Sequence, residues 1–200
     1  MPFQLSVSQL MEEQESAFWT SDRPQPRERE LWARIAAHDF TLGQPLGFVR
    51  RLSRDKHWTL PFTEGAIREY RRFCFLAMAS PAPVTPSEEV DEVWHMHLTY
   101  TRDYWDVWCG QVLGRKLHHD PTRGSQADQA TFRAQYAATL KLYEQYFGAP
   151  PEEYWPATHH RFRGMPRFRT YDAEASIRVP RPVAVLRRLM NRRNNGGMTS

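Results

Sequence analysis

The 200-residue sequence lacks several features that define common protein classes. It has only two cysteines, Cys74 and Cys109, which are too few for a disulfide-stabilised scaffold, so we expect two reduced thiols. No stretch approaches the roughly 20 apolar residues that span a bilayer. The first residues carry neither the basic nor the apolar region of a signal peptide. We therefore expect a cytoplasmic protein without a transmembrane segment.

The motifs of well-known catalytic sites are also missing. The sequence has no P-loop, no G-x-G-x-x-G and no G-x-S-x-G nucleophile elbow. Its His-x-His pair, His95 and His97, is not the H-E-x-x-H of a metalloprotease. The absence of a C-x-x-C pair excludes a zinc finger or ribbon. The sequence names no reaction, which favours a non-catalytic or accessory role.

Acidic residues are scarce in the last forty residues. Residues 161–200 contain ten Arg, no Lys and only Asp172 and Glu174, a net charge of +8, whereas the rest has 17 basic and 21 acidic residues. Phe162 and Phe168 each lie between two arginines. Such a tail is typical of a solvated segment, of one that binds nucleic acid through phosphates and bases, or of one that lies on an anionic surface. An unknown protein partner is a further alternative.

Apolar residues at helical spacing predict an all-α fold, a compact bundle of about six helices with a basic C-terminal tail. Hydrophobic residues make up 40% of the chain and aromatic residues 13%, enough for a real core. We expect an N-terminal helix within residues 1–22, a helical His-rich core domain over 24–158 and the Arg-rich tail over 159–200. The predicted helices cover about residues 6–19, 27–40, 46–57, 63–79, 85–109 and 127–147.

The most specific local signal is the Thr-Pro-Ser-Glu sequence at residues 85–88. Thr85 suits the N-cap, Pro86 the first helical position and Glu88 the third, which together form a capping box. We predict that a long central helix begins here and ends near Cys109. Gly110 and Gly114 then allow the chain to turn.

Asp91 and His95 are four residues apart on that helix, so their side chains can meet. An extended chain of nine residues spans close to roughly 30 Å, so the segment after Cys109 can bring His118 or His119 back to them. We predict Asp91, His95 and His118 or His119 as ligands of a divalent metal such as zinc, with Asp91 either binding it or orienting a ligand. A plain surface ion pair fits the same spacing, and both interpretations stay open.

His97 faces about 160° away from His95 on an ideal helix, so one ion is not expected to bind both. We predict that His97 and Tyr104 form a buried polar pair, supported by Trp94 and Cys109. On a continuous helix Cys109 lies roughly 18 Å along the axis from His97, too far for a shared zinc ion. Cys109 is therefore expected to be a buried thiol. A Cys–His nucleophile across the turn remains an alternative.

Residues 58–77, 84–105, 109–124 and 139–156 resemble the bacterial members of the glycine-rich domain-containing protein-like family. The shared pattern maps to Asp91, Trp94, His95, His97, Tyr104, Cys109, Gly114 and His118 or His119. The resemblance covers about residues 44–156 and implies a common helical domain in which the His-rich segment matters. It implies no substrate and no enzymatic activity. The chain has only ten Gly, and its extension is rich in Arg instead.

The sequence is compatible with three functions. The leading hypothesis is an accessory helical domain with a His/Asp metal site. The second is a metal-free interaction module that binds protein or nucleic acid through the Arg-rich tail. The third is a metal-dependent hydrolase.

Overall fold

Seven helices follow one another in the computed structural model, which describes residues 25–41, 47–119 and 126–162. They are α1 Pro26–Ala37, α2 Gly47–Lys56, α3 Leu60–Ala79, α4 Glu88–Leu98, α5 Asp103–Leu113, α6 Gln126–Phe147 and α7 Thr158–Arg161. The described residues contain no strand, and the all-α prediction is confirmed. The helix predicted near residues 6–19 and the tail beyond residue 162 lie outside the described residues. No helix in the described ranges is long and apolar enough to cross a membrane.

Helix α3 takes the central position and contacts α1, α2, α4, α5 and α6. It begins at Leu60, before the predicted residue 63, because Thr59 is its N-cap and accepts a hydrogen bond from the backbone N–H of Phe62. Thr63 is buried inside the helix, where its hydroxyl donates to the carbonyl of Thr59 over 2.9 Å. Pro61 suits this first turn, since its missing N–H needs no helical partner there.

The capping box predicted at Thr85 is wrong. Ser87 caps α4, and its hydroxyl accepts a hydrogen bond from the backbone N–H of Val90. Thr85 is buried against α6 instead, where its N–H donates to the hydroxyl of Thr139 over 3.0 Å. Thr85 therefore packs against α6 instead of capping α4, and the helix begins two residues later than predicted.

The helix predicted from Thr85 to Cys109 is interrupted in the middle. At Thr99 and Tyr100 the backbone N–H groups bond to carbonyls three residues back, which tightens the last turn of α4. The chain then resumes as α5, whose turns are the wider π-helical kind. Gly114, with a φ of 74°, ends α5 at the predicted turn, because only glycine adopts this conformation without strain. The change of register leaves Trp105 36% exposed, although a continuous helix would have placed it on the apolar face.

A buried carboxylate joins α3 to α6 and to the segment after it. Glu69 is 4% exposed and accepts hydrogen bonds from the Tyr143 hydroxyl at 2.7 Å and from Trp155 Nε1 at 2.9 Å. Its other oxygen is paired with the Arg72 guanidinium at 2.9 Å. Arg72 also donates to the Tyr143 hydroxyl over 2.6 Å, so these side chains form one network. Removing the carboxylate takes the acceptor from Tyr143 and Trp155 and breaks the ion pair with Arg72.

We predict that Glu69→Ala lowers the free energy of unfolding by about 3–5 kcal/mol, the cost of breaking a buried charge pair. Tyr143→Phe removes two hydrogen bonds, the one donated to Glu69 and the one accepted from Arg72, but keeps the Glu69–Arg72 ion pair, and should cost about 1–3 kcal/mol. Glu64→Ala, at an exposed position of the same helix, is the control and should stay within about 0.5 kcal/mol of the parent. Urea unfolding measures all three, and an equal cost for Glu69→Ala and Glu64→Ala would contradict the network.

Candidate functional site

Helix α4 carries two histidines on opposite faces. His95 is exposed and His97 is fully buried, because two residues along an α-helix are separated by about 200° of rotation. Each histidine belongs to a different cluster with a carboxylate and a second histidine. We call Asp91, His95 and His119 the outer cluster, and His38, His97 and Asp103 the inner cluster.

The outer cluster joins α4 to the segment after α5. Nε2 of His119 lies 2.8 Å from Oδ1 of Asp91, and Nδ1 of His95 lies 3.9 Å from Oδ2 of the same carboxylate. Each of the three residues offers a potential ligand atom, and these atoms lie within 4.8 Å of one another. The two imidazole rings are 4.6 Å apart between centroids. Of the four residues predicted as ligands, the structure thus brings three together.

His118, the fourth, is not part of this group. It is exposed, and its ring packs against Trp105 at 5.5 Å. His119 is directed to Asp91 because its ring lies edge-on against Trp94 at 4.5 Å. The two adjacent histidines therefore take different positions because His119 packs on Trp94 of α4 and His118 packs on Trp105 of α5.

Tyr104 holds the returning segment in place. Its hydroxyl donates to the backbone carbonyl of Leu117 and accepts a hydrogen bond from Trp94 Nε1 at 2.8 Å. Tyr104 is buried, so these bonds are shielded from water. The segment from Gly114 to His119 is thus attached to α4 and α5 two residues before His119.

Two acidic side chains, Asp91 and Glu92, lie beside His95 in the outer cluster. The Glu92 carboxylate, 3.8 Å from His95 Nδ1, together with that of Asp91, holds the pKa of His95 above its ordinary value despite partial burial. Lys56 is paired with Glu92 and balances part of this charge. A cation that binds here would meet a negative field and would compete with a proton for the His95 ring nitrogen.

The inner cluster lies inside the core. Nε2 of His97 is 2.7 Å from Oδ2 of Asp103, and Nε2 of His38 is 3.2 Å from the same oxygen. The other ring nitrogen of His97, Nδ1, hydrogen-bonds with the Tyr70 hydroxyl at 3.0 Å. Nε2 of His38 is buried, and in the described part of the chain no group offers it a well-aligned hydrogen bond.

Aromatic rings enclose the inner cluster. The His97 ring contacts Phe40 at 5.1 Å and Trp108 at 5.6 Å, and the His38 ring contacts the same two side chains. This apolar surrounding lowers the pKa of both His38 and His97, outweighing the opposite effect of the Asp103 carboxylate. Both imidazoles are therefore neutral near pH 7, the form that binds metals.

The residues predicted to support the site are all buried, but their partners differ from those expected. His97 and Tyr104 touch through perpendicular rings, 5.1 Å apart, rather than through their polar atoms. Tyr104 is bonded to Trp94, whereas His97 is bonded to Asp103 and Tyr70. The predicted polar pair is thus replaced by two separate networks that meet at a ring contact.

Cys109 is a buried free thiol. Burial is the main cause that raises the pKa of this thiol above its ordinary value. The thiolate is the nucleophilic form of cysteine, so this environment works against a Cys–His nucleophile. Cys109 is also absent from both His/carboxylate clusters.

Sequence reasoning missed His38, Tyr70 and Asp103. His38 is the C-cap of α1 and precedes His97 by 59 residues, so no local spacing relates the two. Asp103 follows His97 by six residues, and on a continuous helix it would point away from it by about 120°. The interruption at Thr99 and Tyr100 brings the carboxylate back to His97. The contact therefore cannot be predicted from the sequence unless this interruption is predicted first.

We predict that Tyr104→Phe destabilises the protein by about 1–3 kcal/mol, because Trp94 loses a buried acceptor and the Leu117 carbonyl loses its donor. Amide hydrogen exchange over residues 114–119 should become faster, since the segment loses its attachment. Tyr100→Phe, whose ring packs on Phe48, is the control and should leave exchange in this segment unchanged. Equal exchange in parent and Tyr104→Phe would show that the hydroxyl does not hold the segment.

Comparison with known proteins gives one family. The UCP032817-like family, which is uncharacterised, matches residues 45–143. No match is found among curated proteins or among solved structures. The matched residues include the whole outer cluster, together with His97 and Asp103 of the inner cluster, while His38 lies before them. The chain is therefore similar to the UCP032817-like family over the segment that runs from just before α2 into α6.

Proposed function

We propose that this chain is an accessory, divalent-metal-binding helical domain and that the outer cluster holds zinc. The observation that carries the proposal is the convergence of Asp91, His95 and His119, from two separate segments, with ligand atoms within 4.8 Å of one another. Two imidazoles and one carboxylate are a donor set that zinc accepts. The resemblance to the glycine-rich domain-containing protein-like family is part of the proposal, and the family match over residues 45–143 is compatible with it.

The distances support this assignment. Zinc bonds of about 2.0–2.1 Å at tetrahedral angles place neighbouring ligand atoms roughly 3.3 Å apart. Nε2 of His119 lies 2.8 Å from Oδ1 of Asp91, and Nδ1 of His95 lies 3.9 Å from Oδ2, so one imidazole has to move toward the carboxylate oxygen that the other faces. Small side-chain rotations would suffice to admit an ion. The half-exposed His95 is free to make such a rotation, since its side chain is 49% exposed.

Three protein ligands leave the fourth zinc position for water or for an atom of a partner. The outer cluster lies at the surface, so this position would face solvent. Zinc would also tie the segment after α5 to α4, in addition to the Tyr104 attachment. We therefore favour a role in which the metal stabilises this surface and completes a contact, rather than one in which it drives a reaction.

We expect protein purified without a His-tag to contain zinc, with His95→Ala containing one equivalent less per chain. His118→Ala is the matched control, because His118 is exposed, is adjacent to His119 and lies outside the cluster. It should retain the parent's zinc. Metal analysis by mass spectrometry measures all three proteins, and circular dichroism checks that each is folded.

Two outcomes would reject this proposal. One is a folded parent that binds no more zinc than folded His95→Ala, even after incubation with the metal. The other is an equal loss of zinc in His118→Ala and His95→Ala, which would indicate surface binding by any histidine. In either case the Asp91–His119 hydrogen bond would be a packing contact of a metal-free domain.

A further inference from the structure

We propose that the inner cluster, formed by His38, His97 and Asp103, is a second and buried metal site for a divalent first-row transition ion. It uses the two-histidine, one-carboxylate set, which suits ferrous iron and zinc. The proposal does not depend on the outer cluster, because the two sets share no residue.

The three ligand atoms already converge. Both Nε2 atoms face the same carboxylate oxygen of Asp103, at 2.7 Å from His97 and 3.2 Å from His38. All three atoms lie within 4.8 Å of one another. These separations are close to the roughly 3 Å between neighbouring ligands of a bound transition ion. The inner cluster therefore needs less rearrangement than the outer one.

The orientation of His97 is that of a metal ligand. Its Nδ1 hydrogen-bonds with the Tyr70 hydroxyl at 3.0 Å, which leaves Nε2 directed at Asp103. Ligating histidines regularly use the second ring nitrogen in this way, because the outer hydrogen bond holds the ring and selects the tautomer. His38 is held through its backbone, since Arg71 donates to its carbonyl oxygen at 2.6 Å.

His38 supplies an independent observation. The residue is only 9% exposed, and its Nε2 contacts the Asp103 carboxylate at 3.2 Å without a well-aligned hydrogen bond to that or any other described residue. The contact with the carboxylate offsets part of the cost of burying this nitrogen, and the missing hydrogen bond leaves the rest. Buried polar atoms without a hydrogen bond are rare in folded proteins, and an ion or water is a common explanation. Coordination to a metal would satisfy this nitrogen.

The backbone also departs from regular structure to form this cluster. Helix α4 stops at Leu98, and α5 begins with Asp103 in a π-helical segment. The backbone N–H groups of Thr99 and Tyr100 bond to carbonyls three residues back instead of four, and π-helical turns recur at functional sites. The result of this departure is that the Asp103 carboxylate reaches His97.

Asp103 is the member of the cluster that solvent reaches. Its side chain is 17% exposed, while those of His38 and His97 are 5% and 0% exposed. Phe48, which contacts His97, also lines a surface cleft together with Tyr100. A metal would therefore arrive past Asp103, and a small ligand in the cleft would lie beside the site.

The experiment uses His95→Ala, in which the outer cluster lacks one ligand and the inner cluster is intact. We titrate this chain anaerobically with Fe²⁺ and, separately, with Co²⁺ and Zn²⁺. The expected result is one equivalent of bound metal per chain and a rise in melting temperature. Both should disappear when His38→Gln or Asp103→Asn is added. Each change replaces a metal-binding group by an amide on a side chain of similar size. Adding His118→Ala instead is the control and should change neither.

A second measurement is independent of whether these double variants fold. Paramagnetic Co²⁺ bound to the inner cluster should shift and broaden the ring signals of His38 and His97 in the NMR spectrum of His95→Ala far more than that of His118, because a ligand's nuclei lie nearest to the ion. Unmoved signals, or no tightly bound metal in folded His95→Ala, would overturn the proposal. Loss of one equivalent between parent and His95→Ala tests the outer cluster by itself, so either site can fail while the other stands.

Discussion

The interruption at Thr99 and Tyr100 is the constraint on which both clusters depend. It turns the chain so that Asp103 comes back over His97, and it places Tyr104 against Trp94. The first contact completes the inner cluster. The second holds Leu117, and through it positions His119 beside Asp91. A continuous α-helix through these residues would turn Asp103 away from His97 and carry Tyr104 away from Trp94, because each added residue rotates the next side chain by about 100° and moves it about 1.5 Å along the axis.

The two clusters offer similar ligands in opposite surroundings. The outer one lies at the surface beside Glu92 and Lys56, where water and salt screen its charges. The inner one is enclosed by aromatic rings, where an ion would be desolvated and held by its ligands alone. A metal in the outer cluster would exchange readily, and one in the inner cluster would leave slowly. This difference suits a surface contact in the first case and a retained centre in the second.

Helix α3 makes the inner surrounding rigid. Tyr70 of α3 orients His97, and Arg71 of the same helix binds the backbone of His38. Glu69, which directly precedes Tyr70, ties α3 to Tyr143 of α6 and to Trp155. The same short segment therefore contributes to the core network and to the position of both inner imidazoles.

Periodicity and composition by themselves determined the helical class, the approximate positions of the helices and the residues near which chemistry concentrates. These are local properties, since helical spacing alone puts Asp91 beside His95 and sends His97 to the opposite face. The Gly114 turn was equally local, because it depends on the freedom of one glycine. The return of the chain toward Asp91 was predicted from its reach, and the reach allowed either His118 or His119.

Only the tertiary structure decided which of those two histidines turns inward, because Trp94 and Trp105 make the selection from different helices. It also placed His38 beside His97, which no spacing along the chain could indicate. The interruption that delivers Asp103 depends on how α4 and α5 pack on α3, and packing energies outweigh the weak local preferences of single residues. Most of the outer cluster could thus be predicted from the sequence, whereas the inner cluster could be found only from the tertiary structure.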